Sequence, residues 1–151
     1  MKILVDADSC PKQVREIILR SSKRIKEPLI FAANRPIPGL GKGAVMELCS
    51  KAEGSADNRI VELADKGDLV ITRDLPLAER LVDVQVNVLD DRGRIYTKEN
   101  IKHYRSLRDF SVGLAMNGMG IERTANYSKK ELKNFADSFD RELSRLLKEK
   151  Q

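Results

Sequence analysis

Gly67-Asp68-Leu69-Val70-Ile71-Thr72-Arg73-Asp74-Leu75-Pro76-Leu77-Ala78 is the stretch whose reading decides the fold. Its middle, Leu69-Val70-Ile71-Thr72, is a short aliphatic and β-branched run without polar alternation, the pattern of a central strand buried on both faces. Asp68, after Gly67, is turn chemistry at the strand's entry edge, and Arg73-Asp74 sits just past its exit. Leu77, Ala78 and Leu81 then recur at helical spacing. A strand, a polar turn and a helix in immediate succession form half of a βαβ unit, and such units build parallel sheets.

The same alternation continues on either side. Ile3-Leu4-Val5 reads as a buried strand ending at Asp6. The turn Asp8-Ser9-Cys10-Pro11 offers Asp8 or Ser9 as a helix cap with Pro11 in the first turn, ahead of Val14, Ile17, Ile18 and Ser21. Leu29-Ile30-Phe31-Ala32-Ala33 is a second buried strand ending at Asn34. Pro36 to Gly43 is a loop, and Ala44 to Leu48 a short third strand. A helix is expected to start near Ser55, turn Ile60, Val61 and Ala64 inward, and end at Lys66-Gly67, a cation followed by a glycine cap. Val84, Val86 and Val88 alternate as an outer strand, and Asp91-Arg92-Gly93-Arg94 is a turn. Helices follow from about Thr97, as cap, to Met116 and from Ser128 to about Lys148, separated by a polar stretch with Gly118 and Gly120. Leu132, Phe135, Phe139, Leu143 and Leu146 form one apolar stripe on the last helix. The expectation is a single α/β domain over residues 1–151: three layers, α/β/α, around a mainly parallel sheet. Its sheet core lies in about 1–90, and the helices of about 97–149 pack on it.

Composition narrows the function. Aromatic residues make up 5% of the chain and Trp is absent, which predicts an aliphatic core. No apolar run approaches the roughly 18 residues of a membrane span. The N-terminal apolar stretch ends at once in Asp6, unlike a signal peptide, so a cytoplasmic protein is expected. Cys10 and Cys49 are far apart, and His103 is the one histidine. A Cys/His zinc site cannot be assembled from them, and any metal must be held by oxygen. The net charge is +5, and residues 98–151 carry 12 Lys/Arg against 8 Asp/Glu, so most of the excess lies in that last third. A polyanion such as nucleic acid fits this charge. Solvated helix faces also account for it, and composition alone favours that reading.

Chemistry gathers at the strand ends. In open parallel sheets, sites form outside the carboxyl ends of the strands. Asp6 and Asp8 follow the first strand, and Asp74 follows Leu69-Val70-Ile71-Thr72. Asp57 lies in the first turn of the helix that feeds that strand. Ionised carboxylates converging on one spot repel each other unless a cation neutralises them. Hard oxygen ligands favour Mg²⁺ or Mn²⁺, which activate water and polarise a phosphoryl oxygen. Each acid also has a structural reading: Asp8 as a helix cap, Asp57 as a partner of the helix dipole, Asp74 as the start of a turn before Pro76. Lys42 on its glycine-rich loop, Arg73 and Arg108 are candidates for phosphate contact. Gly39-Leu40-Gly41-Lys42-Gly43 is not a Walker A loop, because it lacks the spacing and the Ser/Thr after Lys.

The runs Lys2-Ile3-Leu4-Val5-Asp6-Ala7-Asp8-Ser9-Cys10-Pro11, Ser55-Ala56-Asp57-Asn58-Arg59-Ile60-Val61 and the Gly67 to Ala78 stretch, with Tyr96-Thr97-Lys98-Glu99-Asn100-Ile101, Arg108-Asp109-Phe110 and Phe139-Asp140-Arg141, resemble the bacterial YaiI/YqxD family. That family looks like a branch of the PIN/NYN-like nuclease superfamily. The resemblance implies a PIN-like fold with Asp6, Asp57 and Asp74 as the site acids and Asp8 as an extra one. It also implies metal-dependent hydrolysis of phosphodiesters, most often of RNA. The chain departs from the family at Ile121-Glu122-Arg123-Thr124-Ala125-Asn126, where a Thr-Gly-Gly-Pro-like stretch is usual.

Three functions are therefore carried forward. The first is a Mg²⁺ or Mn²⁺ nuclease using Asp6, Asp8, Asp57 and Asp74. The second is a nucleic-acid-binding or regulatory module without catalysis. The third is a haloacid-dehalogenase-like phosphatase, with Asp6 as nucleophile, Asp8 as general acid and Asp90-Asp91 imitating the late acidic motif. The third lacks the expected residues after Asp8, where Ser9-Cys10 stands.

Overall fold

Successive residues of a strand face opposite ways, and here both faces are apolar. Ile3 and Val5 of β1 (Ile3–Asp6) turn to one side, with Leu29 and Phe31 of β2 (Leu29–Ala33) and Leu69 and Ile71 of β4 (Leu69–Ile71). Leu4, Ala32 and Val70 turn to the other. A sheet with two apolar faces needs a helical layer on each. The computed structural model describes residues 1–116 and 127–150, so Gly118, Gly120 and residues 121–126 lie outside the described residues.

Six strands stand in the order β3-β2-β1-β4-β5-β6, with β3 at Val45–Leu48, β5 at Asn87–Leu89 and β6 at Ile95–Tyr96. All neighbours pair in parallel except β5 and β6. On the first face, α1 (Lys12–Ser22) and α5 (Lys129–Lys150) bury Val14, Ile18, Phe135, Phe139, Leu143 and Leu146. On the second, α2 (Ser55–Leu63), α3 (Leu75–Asp83) and the start of α4 (Ile101–Met116) bury Ile60, Leu77, Leu81 and Ile101. This is the expected α/β/α arrangement, and the apolar stripe of the last helix docks as its spacing predicts.

Several local readings are corrected. Neither Asp8 nor Ser9 caps α1: the helix is preceded by Pro11, without a side-chain cap. Helix α2 ends at Leu63 with Ala64 extended, short of Lys66-Gly67; Gly67, at φ 88°, serves the turn into β4 instead. In that turn the buried Asp68 accepts the backbone N–H groups of Lys2 and Asp65, each at 2.8 Å. Val84 is exposed at the end of α3, and Gln85, at φ 64°, reverses the chain, so the outer strand starts only at Asn87. Strand β6 was not expected, because two residues are too few to show a pattern. Thr97 does act as the expected cap, exchanging reciprocal bonds with Asn100 (2.8 and 3.2 Å), while α4 itself starts at Ile101. The core is not purely aliphatic: Phe31, Phe135 and Phe139 are fully buried, the last two stacked at 5.3 Å. Cys10 and Cys49 are only partly buried. No helix among the described residues is long and apolar enough to cross a membrane.

Candidate acidic site at the sheet switch point

Strands β1 and β4 are neighbours, yet the strands that follow them lie on opposite sides, β2 beyond β1 and β5 beyond β4. Such a reversal opens a crevice outside the carboxyl ends of the two strands. Asp6 is the last residue of β1, and Thr72 is the first after β4. The Thr72 hydroxyl donates to Asp6 Oδ2 at 2.8 Å, and the Ser9 hydroxyl donates to the same oxygen at 3.2 Å. The Asp74 backbone N–H in turn donates to Thr72 Oγ1 at 3.0 Å. Burial raises the Asp6 pKa, the two hydroxyls oppose the rise, and the charges of Asp74 and Asp8 add to it.

Asp74 caps α3. Its Oδ1 accepts the Leu77 N–H at 3.0 Å, and Pro76 stands in the first turn. Asp57 lies in the first turn of α2, and its carboxyl is pushed up to about 6. Burial is the main cause, then the charges of Asp74 and Asp6, with Arg80 opposing. Asp6, Asp57 and Asp74 therefore share one electrostatic neighbourhood although they come from three separate elements. Asp8 is exposed at its rim, where Oδ2 accepts the Asn34 N–H at 2.8 Å and ties down the end of β2.

Among the described residues, no three His, Cys, Asp or Glu side chains are gathered closely enough to hold a metal ion by themselves. The donor set at the crevice is nonetheless all oxygen, as Mg²⁺ and Mn²⁺ prefer. Mg²⁺ keeps several waters and needs only one or two carboxylates directly.

The candidate basic residues separate. Arg73 pairs with the buried Asp91 and lines, with Arg108, an open cleft of about 700 Å³ beside the crevice. Lys42 lies three residues ahead of β3, at the amino-end edge of the sheet, because the loop must run back down for β3 to pair in parallel. Sequence reasoning missed Thr72 as a member of this region and offered Asp91 only as a turn residue and, with Asp90, in the phosphatase alternative. The strand-end rule that selected Asp6 and Asp74 also points to both, since Thr72 follows β4 and Asp90-Asp91 follows β5. Burial pushes the Cys10 thiol up to about 12, so it is no nucleophile at neutral pH.

The raised Asp57 carboxyl predicts a pH dependence in metal-free buffer. Unfolded, it titrates near its ordinary value of about 3.9. Between there and about 6 the folded chain binds more protons than the unfolded one. Stability therefore falls as pH rises through that window and stays lowered above it. Asp57 is partly exposed, so solvent screening reduces the effect to about 1 kcal/mol. Urea unfolding at pH 4.5 and pH 7 in EDTA should show a smaller drop for Asp57→Asn than for the wild type; equal drops would mean that Asp57 is not held at high energy.

A three-layer α/β/α domain with acids at the switch point of a mainly parallel sheet is the class defined by this fold and site. Within it, the chain belongs to the family described as "Uncharacterized BCR, YaiI/YqxD family", whose model matches residues 4–145. It is 47% identical to a UPF0178 protein of Treponema denticola, over 99% of this chain and 96% of the relative. It is 40% identical to a UPF0178 protein of Treponema pallidum, over 98% of this chain and 84% of the relative. A UPF0178 protein of Myxococcus xanthus is 41% identical over 98% and 97%. No solved structure matches the chain.

Proposed function

We propose that this protein is a divalent-metal-dependent nuclease that hydrolyses phosphodiesters at the β1/β4 crevice, with RNA favoured by the family resemblance. The observation that carries the reading is the gathering of Asp6, Asp57 and Asp74 from three separate elements at the switch point, where burial, and after it the charges of Asp74 and Asp6, push the Asp57 carboxyl up. Apposed acids of this kind are relieved by a cation. Asp6, Asp57 and Asp74 would hold Mg²⁺ or Mn²⁺ directly or through water, with Asp8 at the rim. When bound, the metal supplies an activated water and polarises the phosphoryl oxygen. Thr72 and Ser9 fix the orientation of Asp6. The N-terminus of α3 holds Asp74 by one oxygen and leaves the other for the crevice.

A phosphatase using Asp6 as nucleophile is disfavoured by the same geometry. In-line attack needs an unencumbered carboxylate oxygen, whereas Asp6 is 6% exposed and one of its oxygens accepts two hydroxyls. Calorimetric titration of Mg²⁺ and Mn²⁺ into the wild type and into Asp57→Asn/Asp74→Asn tests the metal. Saturable binding lost in the double variant is the expected result. No binding by the wild type at millimolar metal overturns the nuclease reading in favour of a non-catalytic nucleic-acid-binding module.

A further inference from the structure

The cleft beside the crevice is unlike the rest of the surface. One wall is a single face of α4, carrying Tyr104, Leu107 and Arg108 at helical spacing. The facing wall is the turn after β4, with Arg73 and Leu75, and the β5–β6 hairpin, with Arg92 and Arg94. Leu107 is 50% exposed because it faces this cleft instead of the core. Four arginines therefore line the cleft together with the apolar side chains of Leu75 and Leu107 and the tyrosine rings.

Their partners show which of them are available. Arg73 is neutralised by Asp91. Among the described residues, no carboxylate pairs with Arg92, Arg94 or Arg108. Asp90, the other acid of the cleft, is turned inward: its carboxylate accepts the Arg92 and Arg94 N–H groups at 2.9 and 2.8 Å and the Tyr96 hydroxyl at 3.2 Å. Its charge thus goes to holding the hairpin and to Arg94 beside it, and the Arg92 and Arg108 heads stay open to an anion. Guanidinium groups bind phosphate in a two-pronged fashion. The Arg94 guanidinium lies 4.0 Å from the centroid of the Tyr104 ring. Its outer face is a flat surface on which a nucleobase can stack.

We infer that this cleft holds the single-stranded stretch of nucleic acid next to the phosphate in the acidic crevice, with Arg92 and Arg108 on backbone phosphates and a splayed base against Arg94 and Leu107. The inference rests on the nuclease reading for what happens at the crevice, but strand binding itself needs neither metal nor turnover. A cleft of about 700 Å³ suits one or two unstacked nucleotides. In a duplex the bases stay stacked, leaving only phosphates to contact and no base for Leu107 and the Arg94 face. Arg73 and Asp91 line both the cleft and the small closed pocket over Asp6, so the cleft is the immediate neighbour of the acidic site.

The test is fluorescence anisotropy of a short labelled RNA strand, its DNA counterpart and the matching duplex, all in EDTA, on the wild type, Arg92→Ser/Arg108→Ser and Asp74→Asn. The expected result is tighter binding of single strands than of duplex by about tenfold or more, with a loss of similar size in the arginine double variant. The slope of log affinity against log salt for the single strand should become shallower by about 1.4, the share of two lost phosphate contacts. Asp74→Asn should bind the strand at least as well as the wild type, because it only removes a negative charge. Duplex bound as tightly as single strand, or unchanged binding by the arginine variant, overturns the inference. Strand binding that depends on these arginines in a protein that neither binds Mg²⁺ nor cleaves RNA upholds the cleft and fails the nuclease reading alone.

Discussion

Replacing Asp74 with asparagine is expected to abolish the proposed metal-dependent cleavage of RNA and to leave the fold in place. The separation of the two effects follows from what each carboxylate oxygen does. Asp74 Oδ1 accepts the Leu77 N–H at the start of α3, and an asparagine amide oxygen accepts it equally well. The stability change should therefore stay within about 0.5 kcal/mol. The backbone N–H of residue 74, which donates to Thr72, is untouched, so Thr72 goes on orienting Asp6. What is lost is a negative charge at the crevice, and with it part of the attraction for the proposed divalent cation. Loss of one charged group at such a site costs about 100- to 1000-fold in rate. A second readout does not depend on turnover. Because the charge of Asp74 is one cause of the raised Asp57 carboxyl, that carboxyl should titrate below about 6 in the variant, as followed by NMR of its side chain. Cleavage at wild-type rates would remove Asp74 from the site, and unfolding of the variant would make the acid structural.

How much of this was legible in the sequence depends on whether a residue's role is set locally. Strands β1, β2 and β4 are continuous apolar runs, and α5 carries its stripe at a clean helical period, so their existence follows from patterning alone. The positions of Asp6 and Asp74 follow from the strand ends, because strand direction and the switch-point rule need only the βαβ alternation. Thr72 was hidden by its type. A β-branched hydroxyl residue reads as the tail of a strand, and only the pairing of β1 with β4 brings it to Asp6. The place of Lys42 was hidden too: its loop has no regular pattern, and only the parallel pairing of β3, which starts at Val45, puts it at the amino-end edge of the sheet. Asp91 read as turn chemistry, yet Arg73 meets it across the gap between β4 and β5. Val86 and Val88 share one buried face as the alternation predicts, but Val84 is exposed at the end of α3, ahead of the left-handed Gln85.

The largest effect on stability is expected at Gly93. This residue closes the β5–β6 hairpin, donating its N–H to Asp90 O at 3.3 Å with φ at 90°, a region that any residue with a Cβ adopts at a cost. Its carbonyl accepts the Ser138 hydroxyl at 2.8 Å, so the hairpin is seated directly on α5. A Cβ built on Gly93 would lie 2.5 Å from the Asn134 carbonyl oxygen, 2.8 Å from its carbon and 2.9 Å from Ser138 Oγ. The first two are helix backbone and cannot rotate away. Relief requires shifting α5, which carries Phe135 and Phe139 at the centre of one core face. Strain at positive φ and forced repacking each contribute about 1–3 kcal/mol, so Gly93→Ala should lose about 3–5 kcal/mol and lower Tm by about 10 °C or more. Gly67→Ala is the control. Its φ is 88°, but nothing lies within 4 Å of the added Cβ, so it bears the conformational cost alone, about 1 kcal/mol. The difference between the two variants in thermal unfolding isolates the contact of hairpin with helix. Equal losses would mean that α5 does not rest on Gly93, and the hairpin that presents Arg92 and Arg94 to the cleft would then need another support.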